Sequence, residues 1–387
     1  MKTLMFPGQG SQAKGMGGTL FEEFGEYTAK ADAILGYSIR ELCLEDPRNQ
    51  LDRTEFTQPA LYVVSALSCV KKLAGSAAQP DFLAGHSLGE FNALLAAGAI
   101  DFETGLRIVQ KRGELMGRIA NGAMAAVLNA TKEEIEAVLA QNGLTGIDLA
   151  NYNTPSQIVI SGSADEMAAA APLFQQGKML FYPLNTSGAF HSRCMSGAKE
   201  QFSAFLETIS FCAPKIPVIA NVTARPYRAG AMLENITTQM TSTVRWSESV
   251  QYLLALGQAR GATMECEEVG HGDVLTRLFQ TIRRQTPIEV LGGLATQIAA
   301  EESAAANATA TAAAVVPAPR AQPATAIEKV AAWNSRHSVG TRVRSAIAEY
   351  AGLETRTPAI VLFGHRAAVY MKGYNGYFDL DEIVAVA

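Results

Sequence analysis

Gly85-His86-Ser87-Leu88-Gly89 constrains this chain more than any other stretch. Glycines two residues before and two after a serine suit a strand-to-helix turn so tight that no side chain fits at either flank. Such a turn lifts the serine oxygen above a sheet and sets the next residue's N–H beside it. The flanks have the matching character. Asp81-Phe82-Leu83-Ala84 reads as a short strand, and an apolar helical stretch follows from Leu88 to Ala97. Leu4–Phe6 reads as another buried strand, closed by the turn Pro7-Gly8-Gln9-Gly10-Ser11. Gln58 to Lys72 carries Leu61, Val64, Leu67 and Val70 at helical spacing, and Asp101 caps a helix bearing Leu106, Val109 and Met116. Strand alternating with helix predicts a parallel α/β sheet.

From Ala123 the pattern changes. It predicts a strand at Ala123–Leu128, a helix at Lys132–Gln141 capped by Thr131, and strands at Ile147–Ala150 and Gln157–Ile160. A helix at Ala164–Gln175 and a strand at Met179–Leu184 complete the set. That βαββαβ order is the ferredoxin-like unit, inserted as a small domain at 123–190 into a larger one made of 1–122 and 191–293. The stretch 294–326 is rich in Ala, Thr and Pro with few large hydrophobes, and reads as a linker. A helix through Ala304–Ala314 is the alternative, because alanine is the best helix former. Residues 327–387 regain aromatics and β-branched residues. Ile360–Phe363 and Ala368–Met371 look like strands, with Gly373, Asn375 and Gly376 as turns, so a small β-rich appendage of unassigned role is expected.

Across 387 residues, 48% are hydrophobic and 18% charged, enough to bury a sizeable core. The net charge of −5 contains no block of like charges, which argues against a nucleic-acid binder. Five scattered cysteines without a CxxC pair indicate neither a zinc site nor a disulfide framework, and each is expected to be a buried small hydrophobe. The opening apolar run is too short for a signal peptide and no charge-free run of about 18 apolar residues occurs, so a cytoplasmic protein with no membrane partner is expected.

A serine hydroxyl needs a base to become a nucleophile. The chain has five histidines. His86 adjoins the serine and should point away from it; His337 and His365 lie beyond the Ala-rich stretch. His191, where the chain returns from the small domain to the sheet, and His271, in the loop Gly270-His271-Gly272-Asp273, both stay open. Position alone favours His191, narrowly.

Five ordered motifs then carry a resemblance: Phe6-Pro7-Gly8-Gln9-Gly10-Ser11-Gln12, Gly85-His86-Ser87-Leu88-Gly89-Glu90, Gln110-Lys111-Arg112-Gly113 with Met116, Gly122-Ala123-Met124-Ala125-Ala126, and Asn151-Tyr152-Asn153-Thr154-Pro155. Over about residues 1–285 the chain resembles malonyl-CoA:acyl carrier protein transacylases and the acyltransferase domains of polyketide synthases. The fold implied is α/β-hydrolase-like for the large domain. The resemblance implies Ser87 as nucleophile, His191 as general base, and the N–H groups of Gln9 and Leu88 as oxyanion hole. It implies a backbone carbonyl, at Gln239, in place of a carboxylate to orient the histidine. Asn153 would line the pocket. Arg112 would pair with the free carboxylate of malonate, a task for which a guanidinium fork is better shaped than an ammonium. Leu88 and Phe190 resemble the malonyl-selecting members.

Two positions depart from the family. Gly270-His271-Gly272-Asp273 stands where Gly-Pro-Gly is usual. Phe190 stands where the fatty-acid enzymes tend to have serine, a form more like the free-standing, trans-acting acyltransferases of modular polyketide synthases. The implied partners are malonyl-CoA and an acidic acyl carrier protein, met by a rim containing Arg193, Lys199 and Arg245. No metal or tightly bound cofactor is implied, and the default state is a monomer. Two rivals remain: an acyl hydrolase that clears carrier proteins, against which Arg112 counts, and a non-catalytic scaffold. A malonyl transacylase serving fatty-acid synthesis is a nearer variant of the first reading.

Overall fold

A computed structural model describes residues 1–75, 78–186, 188–313, 325–345, 350, 352–362, 366–374 and 377–386, with the backbone alone for 304–313. The chain divides into two compact units, Met1–Ala308 and Thr309–Ala387.

In the first unit, β1 (Lys2–Phe6) leads into three short helices, α1 (Leu20–Glu23), α2 (Gly25–Leu35) and α3 (Ile39–Leu44). The long α4 (Thr54–Ala74) precedes β2 (Phe82–Gly85), α5 (Gly89–Ala96) and α6 (Phe102–Gly117). Then come β3 (Gly122–Leu128), α7 (Lys132–Gln141), β4 (Asp148–Thr154), β5 (Gln157–Ser163), α8 (Ala164–Ala170) and β6 (Leu180–Pro183). The chain returns through α9 (Ser196–Leu206), β7 (Val218–Ala220), β8 (Arg225–Pro226), α10 (Met232–Gln239), α11 (Trp246–Ala259), β9 (Glu265–Glu268), α12 (Val274–Gln285) and α13 (Ile288–Ala313), whose last turn lies past the unit's end at Ala308.

The main sheet has the order β8-β7-β2-β1-β9. β1 runs parallel to β2 and β9, and β2 parallel to β7, while the short β8 is an antiparallel edge. β2 (Phe-Leu-Ala-Gly) is buried throughout, as a central strand covered on both faces must be. The second sheet is antiparallel, ordered β4-β5-β3-β6, with α7 and α8 as its connections. Its own core holds Val127, Ile135, Leu139, Ile158, Ile160 and Phe174. Thr131 caps α7 through a full capping box with Glu134. The helix expected to reach Gln175 stops at Ala170, where Pro172 tightens the next turn to a 3-10 helix over Ala171–Phe174. The second sheet is tied to the segment before α11, where Tyr152 N–H donates to the Val244 carbonyl at 2.9 Å and Val244 N–H to that of Ala150 at 2.8 Å.

The Ala-rich stretch differs from the linker expected over 294–326. α13 runs to Ala313, and Ala295 and Ile298 are buried against Trp246, Leu253 and Phe279. Alanine fills little core but costs least in a helix, so a few large residues at the start suffice to dock it. Residues 314–324 lie outside those described.

The second unit contains α14 (Ala326–Arg336), β10 (Val343–Ser345), β11 (Ile360–Leu362), β12 (Arg366–Tyr370), β13 (Tyr377–Asp379) and β14 (Ile383–Ala385). β10 pairs with β14, and β11-β12-β13 form an antiparallel sheet. Val343, Leu353, Ala359, Val369, Met371 and Ile383 are its core. The expected strands are present with shifted ends. Phe363, His365, Asn375 and Gly376 lie outside the described residues.

Candidate active site

The serine sits where β2 meets α5, and the reason for its glycines is measurable. A Cβ on Gly85 would lie 2.0 Å from backbone atoms of Gly89, and one on Gly89 would lie 2.0 Å from the Phe6 carbonyl oxygen. The turn is therefore closed on itself and pressed against the end of β1. Gly8 belongs to the same contact: its added Cβ would fall 2.4 Å from the His86 carbonyl oxygen. This brings the Gly8-Gln9 segment beside Ser87, where the Thr54 hydroxyl donates to Gln9 Oε1 at 2.9 Å. Leu88 is buried and precedes the first turn of α5, where backbone N–H groups have no intrahelical partner.

Ser87 has φ +51° and His191 φ +56°. Left-handed backbone costs a non-glycine residue about 1–3 kcal/mol, and two of the seven described residues that bear it are the pair that meets here. Ser87 Oγ and His191 Nε2 are 2.7 Å apart, and His191 Nδ1 is 2.8 Å from the Gln239 carbonyl oxygen. A carbonyl only accepts, so Nδ1 carries the proton and Nε2 is left to accept from the serine. Burial, then the Arg112 charge, push the His191 pKa down to about 3. The ring is thus a neutral base at ordinary pH.

Arg112, on α6 and 1% exposed, reaches the serine from another side. Its Nη2 donates to Ser87 Oγ at 3.1 Å and to Gln239 Oε1 at 2.8 Å, and Nη1 donates to Gln58 Oε1 at 2.8 Å. Its Nε–H has no partner among the described residues. Burial lowers the Arg112 pKa to about 10, opposed by Glu90, so the guanidinium stays charged. A buried cation with a donor to spare beside a serine hydroxyl has the chemistry to take an anion.

Of the two histidines left open, His191 meets Ser87 and His271 does not join them. His86 turns away, its Nε2 2.9 Å from Asn153 Oδ1. Asn153 thereby steadies the turn from the β4 side. Phe190 is buried immediately before the base, its ring 2.9 Å from where a Gly188 Cβ would stand. The rim is less basic than expected: Arg193 is paired with Asp148 at 2.6 Å and Arg245 with Glu248. Cys43 and Cys69 are buried, but Cys194 and Cys212 are exposed, contrary to the expectation for all five. No cluster of metal-ligating side chains occurs among the described residues.

Three further residues join the site that the sequence reading did not single out. Asn221 Oδ1 accepts from Ser87 N–H at 2.7 Å while its Nδ2 donates to the Gly85 carbonyl at 2.6 Å. Gln58 anchors Arg112, and Glu90 lies beneath Gln239. A polar residue just past a buried strand (Asn221), or inside an apolar helix (Gln58), was the available hint.

A glycine-flanked serine on a strand-to-helix turn, bonded to a neutral buried imidazole, defines a serine enzyme of acyl transfer. The comparisons narrow the class. Residues 3–318 match the family described as acyl transferase domain, and the chain belongs to that family. It is 53% identical over 286 residues to the polyketide biosynthesis malonyl CoA-acyl carrier protein transacylase PksC of Bacillus subtilis, covering 73% of this chain and 98% of PksC. BaeC of Bacillus velezensis, of the same description, is 51% identical, with 74% and 98% covered. Among solved structures, malonyl CoA-acyl carrier protein transacylase from Burkholderia pseudomallei superposes with a TM-score of 0.73 at 59% identity, over 74% of this chain and 99% of that one.

Proposed function

We propose that the chain transfers a malonyl group from malonyl-CoA to the phosphopantetheine thiol of an acyl carrier protein, as a trans-acting acyltransferase of polyketide biosynthesis. The observation that carries it is Arg112, buried and 3.1 Å from Ser87 Oγ. A hydrolase for uncharged acyl chains gains nothing from a desolvated cation there. The identity to polyketide relatives, 53%, exceeds the 41% to the Synechocystis malonyl CoA-acyl carrier protein transacylase, which favours the polyketide setting over fatty-acid synthesis.

We infer the following steps, which the Ser87, His191 and Arg112 contacts support. Ser87 Oγ attacks the thioester carbonyl as its proton passes to His191 Nε2. The oxyanion forms against the N–H groups of Gln9 and Leu88, often the largest catalytic contribution. The intermediate collapses, the C–S bond breaks, and His191 returns the proton to the departing thiolate. The carrier thiol then repeats the sequence on the malonyl-Ser87 ester, losing its proton to His191, and Ser87 recovers its own. The Gln239 carbonyl stabilises the imidazolium in both halves. Arg112 exchanges a neutral hydroxyl contact for the malonyl carboxylate, and Leu88 and Phe190 limit the room for a branch. These steps call for no metal or cofactor.

We read the main sheet and its helices as an α/β-hydrolase-like large domain, 1–122 with 191 onward into α13. The antiparallel sheet of 123–190 is a ferredoxin-like small domain, supported by its strand order and antiparallel pairing. We read the protein as a cytoplasmic monomer; no described helix is long and apolar enough to cross a membrane. Intact-protein mass spectrometry after exposure to malonyl-, methylmalonyl- and acetyl-CoA tests the reading. A malonyl adduct is expected, lost in Ser87→Ala. Equal acetyl labelling would overturn the role of Arg112, and rapid turnover of malonyl-CoA without carrier protein would point to a hydrolase.

A further inference from the structure

Glu90 is a carboxylate with no part in the steps above, yet it is 2% exposed and a single residue separates it from Ser87, His191 and Arg112. Its Oε2 accepts from Gln239 Nε2, and its Oε1 accepts from the Tyr227 hydroxyl and, at 3.1 Å, from Asn221 N–H. These partners reach into the site. Gln239 holds His191 through its main-chain carbonyl and Arg112 through Oε1, and its Nε2 also donates to the Ser87 carbonyl at 3.0 Å. Asn221 holds the Ser87 N–H and the Gly85 carbonyl.

The Gln239 amide could in principle sit either way round. A carboxylate only accepts and a guanidinium only donates. With Glu90 on one side and Arg112 on the other, one orientation satisfies both; the flipped amide would set oxygen against carboxylate and N–H₂ against guanidinium. A neutral side chain at 90 removes half of that constraint. From this connectivity we propose that ionised Glu90 is the positioning residue of the site: by holding Gln239 and Asn221 it sets Ser87, His191 and Arg112 relative to one another. It rests on the transferase reading.

The groups facing Glu90 are Arg112 from α6, Tyr227 from the segment after β8, and His191 beyond Gln239. Arg112 is charged and Tyr227 neutral at ordinary pH, and the His191 pKa, near 3, is too low to titrate close to neutrality. Burial raises the Glu90 pKa to about 7, against the Tyr227, Gln239 and Asn221 hydrogen bonds and the Arg112 charge. Malonyl loading of Ser87 should therefore rise with pH through a limb that belongs to Glu90.

The test is the pH profile of kcat/KM for malonyl loading, from pH 5 to 9, in the full chain. Glu90→Gln resembles the protonated acid. It should lose the limb and run at every pH about 10- to 100-fold below the wild-type plateau, the scale of one charge-assisted hydrogen bond. Tyr227→Phe removes a donor that stabilises the carboxylate, so its limb should move to higher pH. A folded Glu90→Gln protein that keeps the limb, or the full rate, would overturn the proposal, as a merely structural role would move the melting temperature alone. If Glu90→Gln does not fold, an unmoved limb in Tyr227→Phe overturns it. Absence of any malonyl ester on the wild-type protein would instead sink the transferase reading.

Discussion

Arg112 and His191 are the residues on which the proposed chemistry turns, and burial acts on them in different ways. Arg112 is held by Gln58, Gln239 and Ser87 without a full partner charge in contact, so removing it should change the choice of acyl group more than the fold. In Arg112→Ala, malonyl labelling of Ser87 should fall at least about 100-fold while acetyl labelling falls far less, read by intact mass; this is the scale of a hydrogen-bonded buried charge pair. His191 makes a second prediction. Its folded pKa, about 3, lies below the ordinary 6.5, so the unfolded chain takes up its proton first as pH falls. Stability contributed by the neutral ring is complete above about pH 6.5 and is lost on acidification toward 3. Between pH 7 and 4 the wild type should lose on the order of 3 kcal/mol more than His191→Gln in urea unfolding; equal losses would refute it. Ser87 and its glycines were legible in the sequence because their geometry is local. Gln58, Asn221, Glu90 and Tyr227 were not, because each acts on a residue distant in the chain, and the resemblance supplied roles for Arg112 and Gln239 that spacing could not.

At the scale of elements, α6 brings Arg112 to the serine only because it lies close against α4. Gly105, Gly113 and Gly117 form the approach: an added Cβ would meet the Tyr62 hydroxyl at 2.0 Å, the Thr54 carbonyl oxygen at 2.9 Å and Glu55 Oε2 at 2.9 Å. Gln58, on the facing turn of α4, then spans to Arg112. Gly113→Ala must push α6 outward or bend it, because the nearest atoms it meets are backbone. It should lose about 1–3 kcal/mol of stability and lower kcat/KM for malonyl-CoA about tenfold, with acetyl loading affected less. Unchanged malonyl loading would show that α6 can shift without carrying Arg112. The helices themselves were readable: Asp101 and Thr131 cap where expected, since capping is decided within four residues. The closeness of α4 and α6 was not, because glycine at 113 within a helix signals nothing until its neighbour is known.

The whole molecule adds the question of how much chain the site needs. The core around Trp246, Leu253, Phe279 and Ile282 is completed by Ala295 and Ile298 from the start of α13, and Arg260 pairs with Glu302. Past that point no described side chain of the first unit contributes to this core. The second unit has a core of its own, with the Asn334 side chain bonded to both backbone groups of Ala359. Composition hid this division: the Ala-rich stretch looked like a boundary at 294, yet its first residues belong to the sheet's packing. A chain ending at Ala308 should therefore melt with the same first transition as the full protein and load malonyl on Ser87 within about twofold of its rate. One ending at Thr286 exposes the face that Ile298 covers and should lose about 2–4 kcal/mol, by the cost of deleting large buried side chains. Calorimetry of the three lengths, with malonyl loading of each, reads both effects. Equal stability for the two shortened chains would return α13 to the status of a linker. Loss of loading at Ala308 with an unaltered first transition would make the second unit part of the catalytic machinery.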